Sequence, residues 1–347
     1  MPSFKFDTVR RQKFLPEEFF LRNLLLLQDL IEISYNSITT LKIEGNFSPT
    51  GQYQIFKHRL NLVKLHYTAG SDIGSLIALY RDVVDAVREL TAAHREYVKY
   101  LEMKTGDEMI KNASFFRLED PEMYRMALDV ACLGFLLGDG DGLRQFVRCL
   151  EAERGTDLLF ESIVASAVDD PRDNTDFFHV RPYDSLLDSF CSAETDKEAA
   201  DYMNAFLKRW YKDFDGMPWH NAHLKPASDN SYLPYFGYWA FEASAISIIY
   251  DIDDTPFRDH LLYPKDLADW ARANHSLDHV APGATSLANN YRCEAGHPCP
   301  TSGFWGTPAK NGSRQYFKQG TVMPAVASAY GATIWQWDRD QSDPSLS

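Results

Sequence analysis

No stretch of this chain approaches the roughly 18 uninterrupted apolar residues that a membrane-spanning helix needs. The richest candidate, around Leu24 to Leu27, stops at Gln28 and Asp29. The opening residues, Met1-Pro2-Ser3-Phe4-Lys5, carry no apolar segment of the kind that directs export, so the chain is expected in the cytoplasm. Cysteine is scarce. The five thiols, Cys132, Cys149, Cys191, Cys293 and Cys299, are odd in number and widely scattered, which excludes a disulfide framework. Cys132 and Cys149 fall in apolar helical patterns and read as small buried hydrophobes. There is no Gly-x-Ser-x-Gly elbow, no phosphate loop and no dinucleotide fingerprint. No catalytic residue and no cofactor is assigned on this basis.

Three segments come close to chemistry and fall short of it. Cys293-Glu294-Ala295-Gly296-His297-Pro298-Cys299 offers three of the four ligands that zinc takes, but its spacing is not that of a zinc ribbon and no second Cys pair exists. A fourth ligand would have to come from His275 or His279. A metal-free Gly/Pro loop with two semi-buried thiols is the expectation. Asp139-Gly140-Asp141-Gly142 begins like a calcium loop, yet its fifth and twelfth positions are Leu143 and Leu150, so it reads as a helix–helix turn. His220 and His223 lie in a Pro/Asn-rich loop with no adjoining Glu in a metalloprotease pattern. No metal site is assigned.

What the sequence does have is helical periodicity. Apolar residues at steps of three and four mark Glu17 to Thr39, Tyr53 to Tyr67, Ile73 to Met103 and Pro121 to Leu137. Further helices are predicted over Leu143 to Leu150, Asp157 to Val168, Lys197 to Phe214, Phe236 to Tyr250 and Lys265 to Ala273. Ser71 or Asp72 is placed to cap the third of the long helices. After about residue 279 Pro and Gly become frequent. Short aromatic runs lie between them: Phe304-Trp305, Tyr316-Phe317, Thr321-Val322-Met323 and Ala332 to Trp337. The last alternates Trp335 and Trp337 against Ile334 and Gln336, which is strand periodicity. The expected fold is mainly α: a two-part α-helical bundle with a small C-terminal β module of three or four strands docked on it. The division is 1–118, 119–278 and 279–347, with one continuous bundle as the other arrangement of the helices.

Charge is distributed unevenly. The chain carries 49 acidic and 35 basic side chains, net −14. Residues 1–150 hold 20 acids and 19 bases, residues 151–260 hold 22 and 9, and the remainder is balanced at 7 and 7. An acidic region repels nucleic acid and attracts basic proteins; a solvated surface kept soluble by acid is the plainer account. Within it, Tyr235 to Trp239 packs four large aromatics ahead of the small-residue segment that runs to Ala245, with Glu242 either partnered in the core or exposed at an edge.

Tyr238-Trp239-Ala240-Phe241-Glu242-Ala243, then Asp251-Ile252-Asp253-Asp254-Thr255-Pro256-Phe257-Arg258, then Tyr263-Pro264-Lys265-Asp266-Leu267, resemble the C-terminal domain of the PoNi immunity family. Those proteins guard bacteria against PoNe-type DNase toxins delivered by type VI or related secretion systems. Trp210-Tyr211 agrees with that domain, and Tyr67 to Asp72 resembles a turn of the family's N-terminal helical domain. The tail, from Arg292-Cys293 through Phe304-Trp305 to Trp335-Gln336-Trp337, is similar to a small module appended to several type VI immunity proteins. It is a departure from PoNi proteins, which commonly end after the Tyr-Pro-Lys-Asp-Leu helix.

The resemblance implies a protein without enzymatic activity that binds a cognate toxin, a basic nuclease domain, and occludes its active or substrate-binding site. It implies no contact with nucleic acid or membrane. A nuclease must hold a polyanion, so an acidic inhibitor fits it. The candidate partner-binding residues are Asp213, Asp215 and Asp229, between two predicted helices, and Asp251, Asp253 and Asp254, after the aromatic helix. Asp251 or Asp253 could instead cap the next helix. Two other classes remain: an adaptor or chaperone for a type VI effector, and a hydrolase drawing on His220 or His223.

Overall fold

Helix ends fall where side chains can hold loose backbone amides. Asp72 accepts from the amide of Ser75, Asp120 from those of Glu122 and Met123, Asp139 from Gly142, Asp157 from Phe160, and Thr195 from Glu198. In the computed structural model the described residues are 4–43, 47–106, 114–172, 174, 176–224, 234–274, 292–300, 302–307, 310, 313–326 and 333–338. The helices in order are α1 (Phe4–Val9), α2 (Glu17–Ile43), α3 (Thr50–Ala69), α4 (Ile73–Thr105), α5 (Pro121–Leu137), α6 (Gly140–Cys149), α7 (Leu158–Val164), α8 (Val180–Cys191), α9 (Asp196–Asp213), α10 (Phe241–Ile249) and α11 (Lys265–Asn274). The fold is mainly α, as the periodicity requires.

Helices α2, α3 and α4 pack as successive neighbours, α8 packs on α9, and α5 lies among α4, α6, α7, α10 and α11. Helix α5 is buried almost throughout, from Tyr124 to Leu137. One apolar core runs without interruption from Leu15 to Ala271. Leu76, Tyr80, Val83, Val87 and Leu90, which recur at steps of three and four along α4, all lie in it. The Asp139 to Gly142 segment is the capped start of α6.

Three helical expectations needed revision. Helices α1 and α8 were not anticipated. Helix α8 carries Pro182 in its first turn, beside Arg181 with non-helical backbone (φ −94°, ψ 134°), which masks its start. The helix expected over Phe236 to Tyr250 begins only at Phe241. Gly237 takes φ +103°, and a Cβ there would sit 2.1 Å from the Thr68 hydroxyl oxygen. The extended 234–240 segment is held by polar side chains from the first part of the chain. Gln12 donates to the Tyr238 carbonyl (2.6 Å), Asn23 to that of Tyr235 (2.8 Å) and Thr68 to that of Phe236 (2.7 Å). These bonds stand in for the helical ones that the segment forgoes.

The tail forms the expected β module. Strands β1 (Arg292–Glu294), β2 (Gly303–Gly306), β3 (Gln315–Phe317) and β4 (Ile334–Trp337) make an antiparallel sheet in the order β1-β4-β2-β3. Strand β1 was expected to be loop, and Thr321 to Met323 is no strand but makes one bridge, Val322 to Pro298. Cys293, Cys299, Trp305, Phe317, Met323 and Trp335 form a second, separate core. Trp337 packs against both cores and so joins the module to the helices.

Candidate functional site

A charged network lies inside the helical body. Arg125, on α5, donates to Glu242 on α10 (2.6 Å), to Asp129 one turn along its own helix (2.6 Å) and to the Trp239 carbonyl (2.8 Å). Lys64, on α3, donates to the other oxygen of Asp129 (2.6 Å), and the Trp210 indole donates to Glu242 (2.8 Å). Arg125, Asp129 and Glu242 are buried. Two cations face two carboxylates, so the cluster is formally neutral. The Arg125 guanidinium also lies 5.1 Å from the Trp210 ring centre, a cation–π contact in a low-dielectric setting. Glu242 is thus partnered in the core and not exposed. The network joins α3, α5, α9 and α10, and burial with the nearby Glu242 and Asp129 raises the Cys132 thiol well above its ordinary pKa.

Above the network opens a cleft of about 230 Å³. Its walls include Leu27, Leu30, Trp219, Tyr235, Tyr238 and Trp239, and Lys64 and Arg125 belong to its lining. Lys57 and Glu122, also lining residues, form an ion pair at 2.6 Å. Burial, then the Lys57 charge, lowers the pKa of His58 beside them. The wall is built by stacking: Trp219 lies on Trp210 (5.4 Å between centres) and beside Tyr238 (5.7 Å). An apolar cleft with a few converging polar groups is the usual form of a binding pocket. Sequence reasoning missed its charged members. Their signal was Arg125 and Asp129, spaced by one turn within an apolar run, and Lys64 between Val63 and Leu65.

The acidic candidates fall in different settings. Asp215 is exposed and lies 3.4 Å from His220, in the loop that supplies Trp219 to the cleft. Asp213 ends α9 and pairs with Arg209 (2.8 Å), its side chain 8% exposed. Asp229 lies outside the described residues. Asp251, with φ +52°, and Asp253 are exposed beyond the C-terminal end of α10. Asp253 accepts from the Thr255 amide (3.0 Å), and hydrogen bonds from Thr255 hold its carboxyl below the usual pKa. That turn is not a helix N-cap; the next helix starts at Lys265. Asp254 departs from the expected surface position. It is buried and accepts from Tyr263 (2.9 Å), Arg272 (2.7 Å) and Arg258 (3.1 Å). Asp251 follows the C-terminal end of α10, whereas the cleft-wall residues Tyr235 to Trp239 precede its N-terminal end. Other exposed acids, Glu194, Asp196 and Glu198, cluster at the start of α9, where the helix dipole favours acids and the Glu198 carboxylate accepts from the Glu194 amide (2.8 Å).

The two histidines have separate partners. His220 stacks on Tyr211 (4.2 Å), and His223 bonds the Tyr238 hydroxyl (2.8 Å), its pKa lowered by burial and then by His220. Among the described residues no group of three His, Cys, Asp or Glu side chains is arranged to hold a metal ion. Cys293 and Cys299 lie in the core of the sheet module, and burial raises the Cys293 thiol. Among the described residues no helix is long and apolar enough to cross a membrane.

Comparison with known proteins places part of this chain. Residues 155–267 match the family described as PoNe immunity proteins (PoNi), C-terminal. No curated protein gives a significant match. A solved structure, protein PA2201 from Pseudomonas aeruginosa, shares the fold at a TM-score of 0.56 and 21% identity, over 76% of this chain and 91% of that one.

Proposed function

We propose that this chain, a PoNi-like immunity protein by its residues 155–267, binds a cognate polymorphic toxin in the cytoplasm and neutralises it by covering its active or substrate-binding face. The toxin is a basic nuclease domain, delivered between competing bacteria by type VI secretion. One observation carries the reading: the matched segment coincides with the region holding 22 acids against 9 bases. A nuclease groove must attract phosphates, and acid presented on a rigid helical body complements it, steering encounter.

Recognition falls to the acids that face solvent, Asp215, Asp251 and Asp253, with Asp213 at the edge; Asp229, which follows Asp215 in the sequence, is a further candidate. Asp254 acts from behind, fixing the loop that presents Asp251 and Asp253. The aromatic cleft beside Asp215 receives an anchoring side chain of the partner, in the way that buried aromatic pockets centre protein interfaces. Neutralisation requires no chemistry from this chain.

Co-expression with the product of the neighbouring toxin gene tests this. Growth should be restored by the intact protein. Failure to restore growth, with both proteins present and soluble, contradicts the reading. Rescue that survives replacement of His220 and His223 by Ala separates occlusion from hydrolysis.

A further inference from the structure

The acidic excess hides a local exception. Helices α4 and α6 pack side by side, and between them runs a groove of about 570 Å³ lined by Arg88, Arg95, Arg144 and Arg148. All four arginines are exposed. Arg88 and Arg95 stand two turns apart on α4, about 10 Å. Arg144 and Arg148 are one turn apart on α6. Arg88 is held by Asp85 (3.0 Å) and Arg144 by Asp141. Arg95 and Arg148, one from each helix, have no hydrogen-bond or ion-pair partner among the described residues. Thr91 and Gln145 add a hydroxyl and an amide between them.

We propose that this groove is a binding site for the carboxylates of an acidic polypeptide segment. A guanidinium offers a planar fork that matches a carboxylate with two parallel hydrogen bonds, and two such forks remain open here. Asp85 and Asp141 already seat carboxylates on the neighbouring guanidiniums. The same two aspartates discriminate against nucleic acid. A phosphodiester strand carries a charge at about every 3.4 Å and cannot keep those charges away from the aspartates or from a body of net −14. A peptide has a neutral backbone and concentrates its charge on a few side chains. Two carboxylates of such a segment meet the two open guanidiniums, Arg95 on one wall of the groove and Arg148 on the other. The groove lies outside the segment matched to the immunity family, and the inference does not depend on that reading.

The test titrates the full-length protein into a fluorescein-labelled peptide with two glutamates set apart by neutral residues (Gly-Glu-Ala-Ala-Glu-Gly) at low ionic strength, read by anisotropy. Saturable binding is expected. Arg95→Glu with Arg148→Glu should weaken it by about tenfold or more. Lys310→Glu with Lys318→Glu, exposed tail residues giving the same change in net charge, should leave it within about twofold. Circular dichroism checks that each variant is folded. If the charge reversal does not fold, Arg95→Gln with Arg148→Gln replaces it and should weaken binding in the same direction. Sodium tripolyphosphate and a single-stranded hexanucleotide serve as competitors and should bind more weakly than the peptide. The proposal is overturned if the peptide does not bind saturably, if both double variants lose binding equally, or if either phosphate probe binds more tightly than the peptide.

Discussion

The acids of residues 151–260 divide into two sets that composition cannot tell apart. Asp157, Glu161, Glu242 and Asp254 are buried, while Asp215, Asp251 and Asp253 face solvent. Each buried acid is tied to a partner inside the protein. Glu242 meets Arg125, Glu161 meets Arg154 through two nitrogens, Asp157 caps α7 and accepts from Tyr124, and Asp254 gathers Arg258, Arg272 and Tyr263. The exposed acids have one weak partner or a local turn. An acid count therefore overstates the charge available to a partner. It also conceals the residues that fix the scaffold presenting that charge.

This division can be broken or sharpened by mutation, with melting experiments as the common readout. The largest effect is expected from Glu242→Ala. It leaves the buried cluster with two cations, Arg125 and Lys64, against the single carboxylate of Asp129, and an uncompensated buried charge of this kind costs about 3–5 kcal/mol of folding stability. A loss below about 1 kcal/mol would mean that water reaches the network. Asp254→Ala comes next, at about 1.5–3 kcal/mol, because three donors lose their common acceptor. Asp157→Ala removes the cap of α7 and should cost about 0.5–2 kcal/mol. The exposed set closes the series. Charge reversal of Asp215, Asp251 and Asp253 should leave stability within about 0.5 kcal/mol, and a larger loss would move these residues into the scaffold set.

Histidine titration offers a probe of the same interior that needs no carboxylate. Burial is the first cause lowering the pKa of His58, His66, His223 and His260 from the ordinary 6.5. Between the lowered value and 6.5 the unfolded chain binds more protons than the folded one. The histidine contribution is therefore intact above 6.5 and is lost as pH falls through the lowered pKa values. The melting temperature should decline as pH drops from about 7 to about 5.5, and His58→Gln with His223→Gln should flatten the decline. A slope unchanged in that variant would assign it to other groups.

The long helices were legible because their apolar stripes repeat over many turns, and the β module because Gly and Pro punctuate its aromatic runs. The start of α10 was not. Its aromatic sequence fits a helix, and only contacts from Gln12, Asn23 and Thr68, far away in sequence, hold 234–240 extended. The cleft was hidden for the same reason. Lys64, Arg125 and Glu242 are distant in sequence, and no single segment shows that they meet. Asp254 was placed on the surface because it stands among other aspartates; the cations that draw it inward, Arg258 and Arg272, lie one turn away and on α11. Recognition of the Tyr238 to Leu267 blocks succeeded because family motifs retain information that periodicity does not.

The most direct test of neutralisation by binding is to mix the purified toxin domain with this protein, measure stoichiometry by calorimetry, then separate the two and assay the toxin again. The account predicts a one-to-one complex, association slowed by salt, weaker binding after reversal of Asp215, Asp251 and Asp253, and full return of toxin activity once the protein is removed. A toxin that stays inactive or covalently altered after separation, or one inhibited at far below equal amounts, would contradict it.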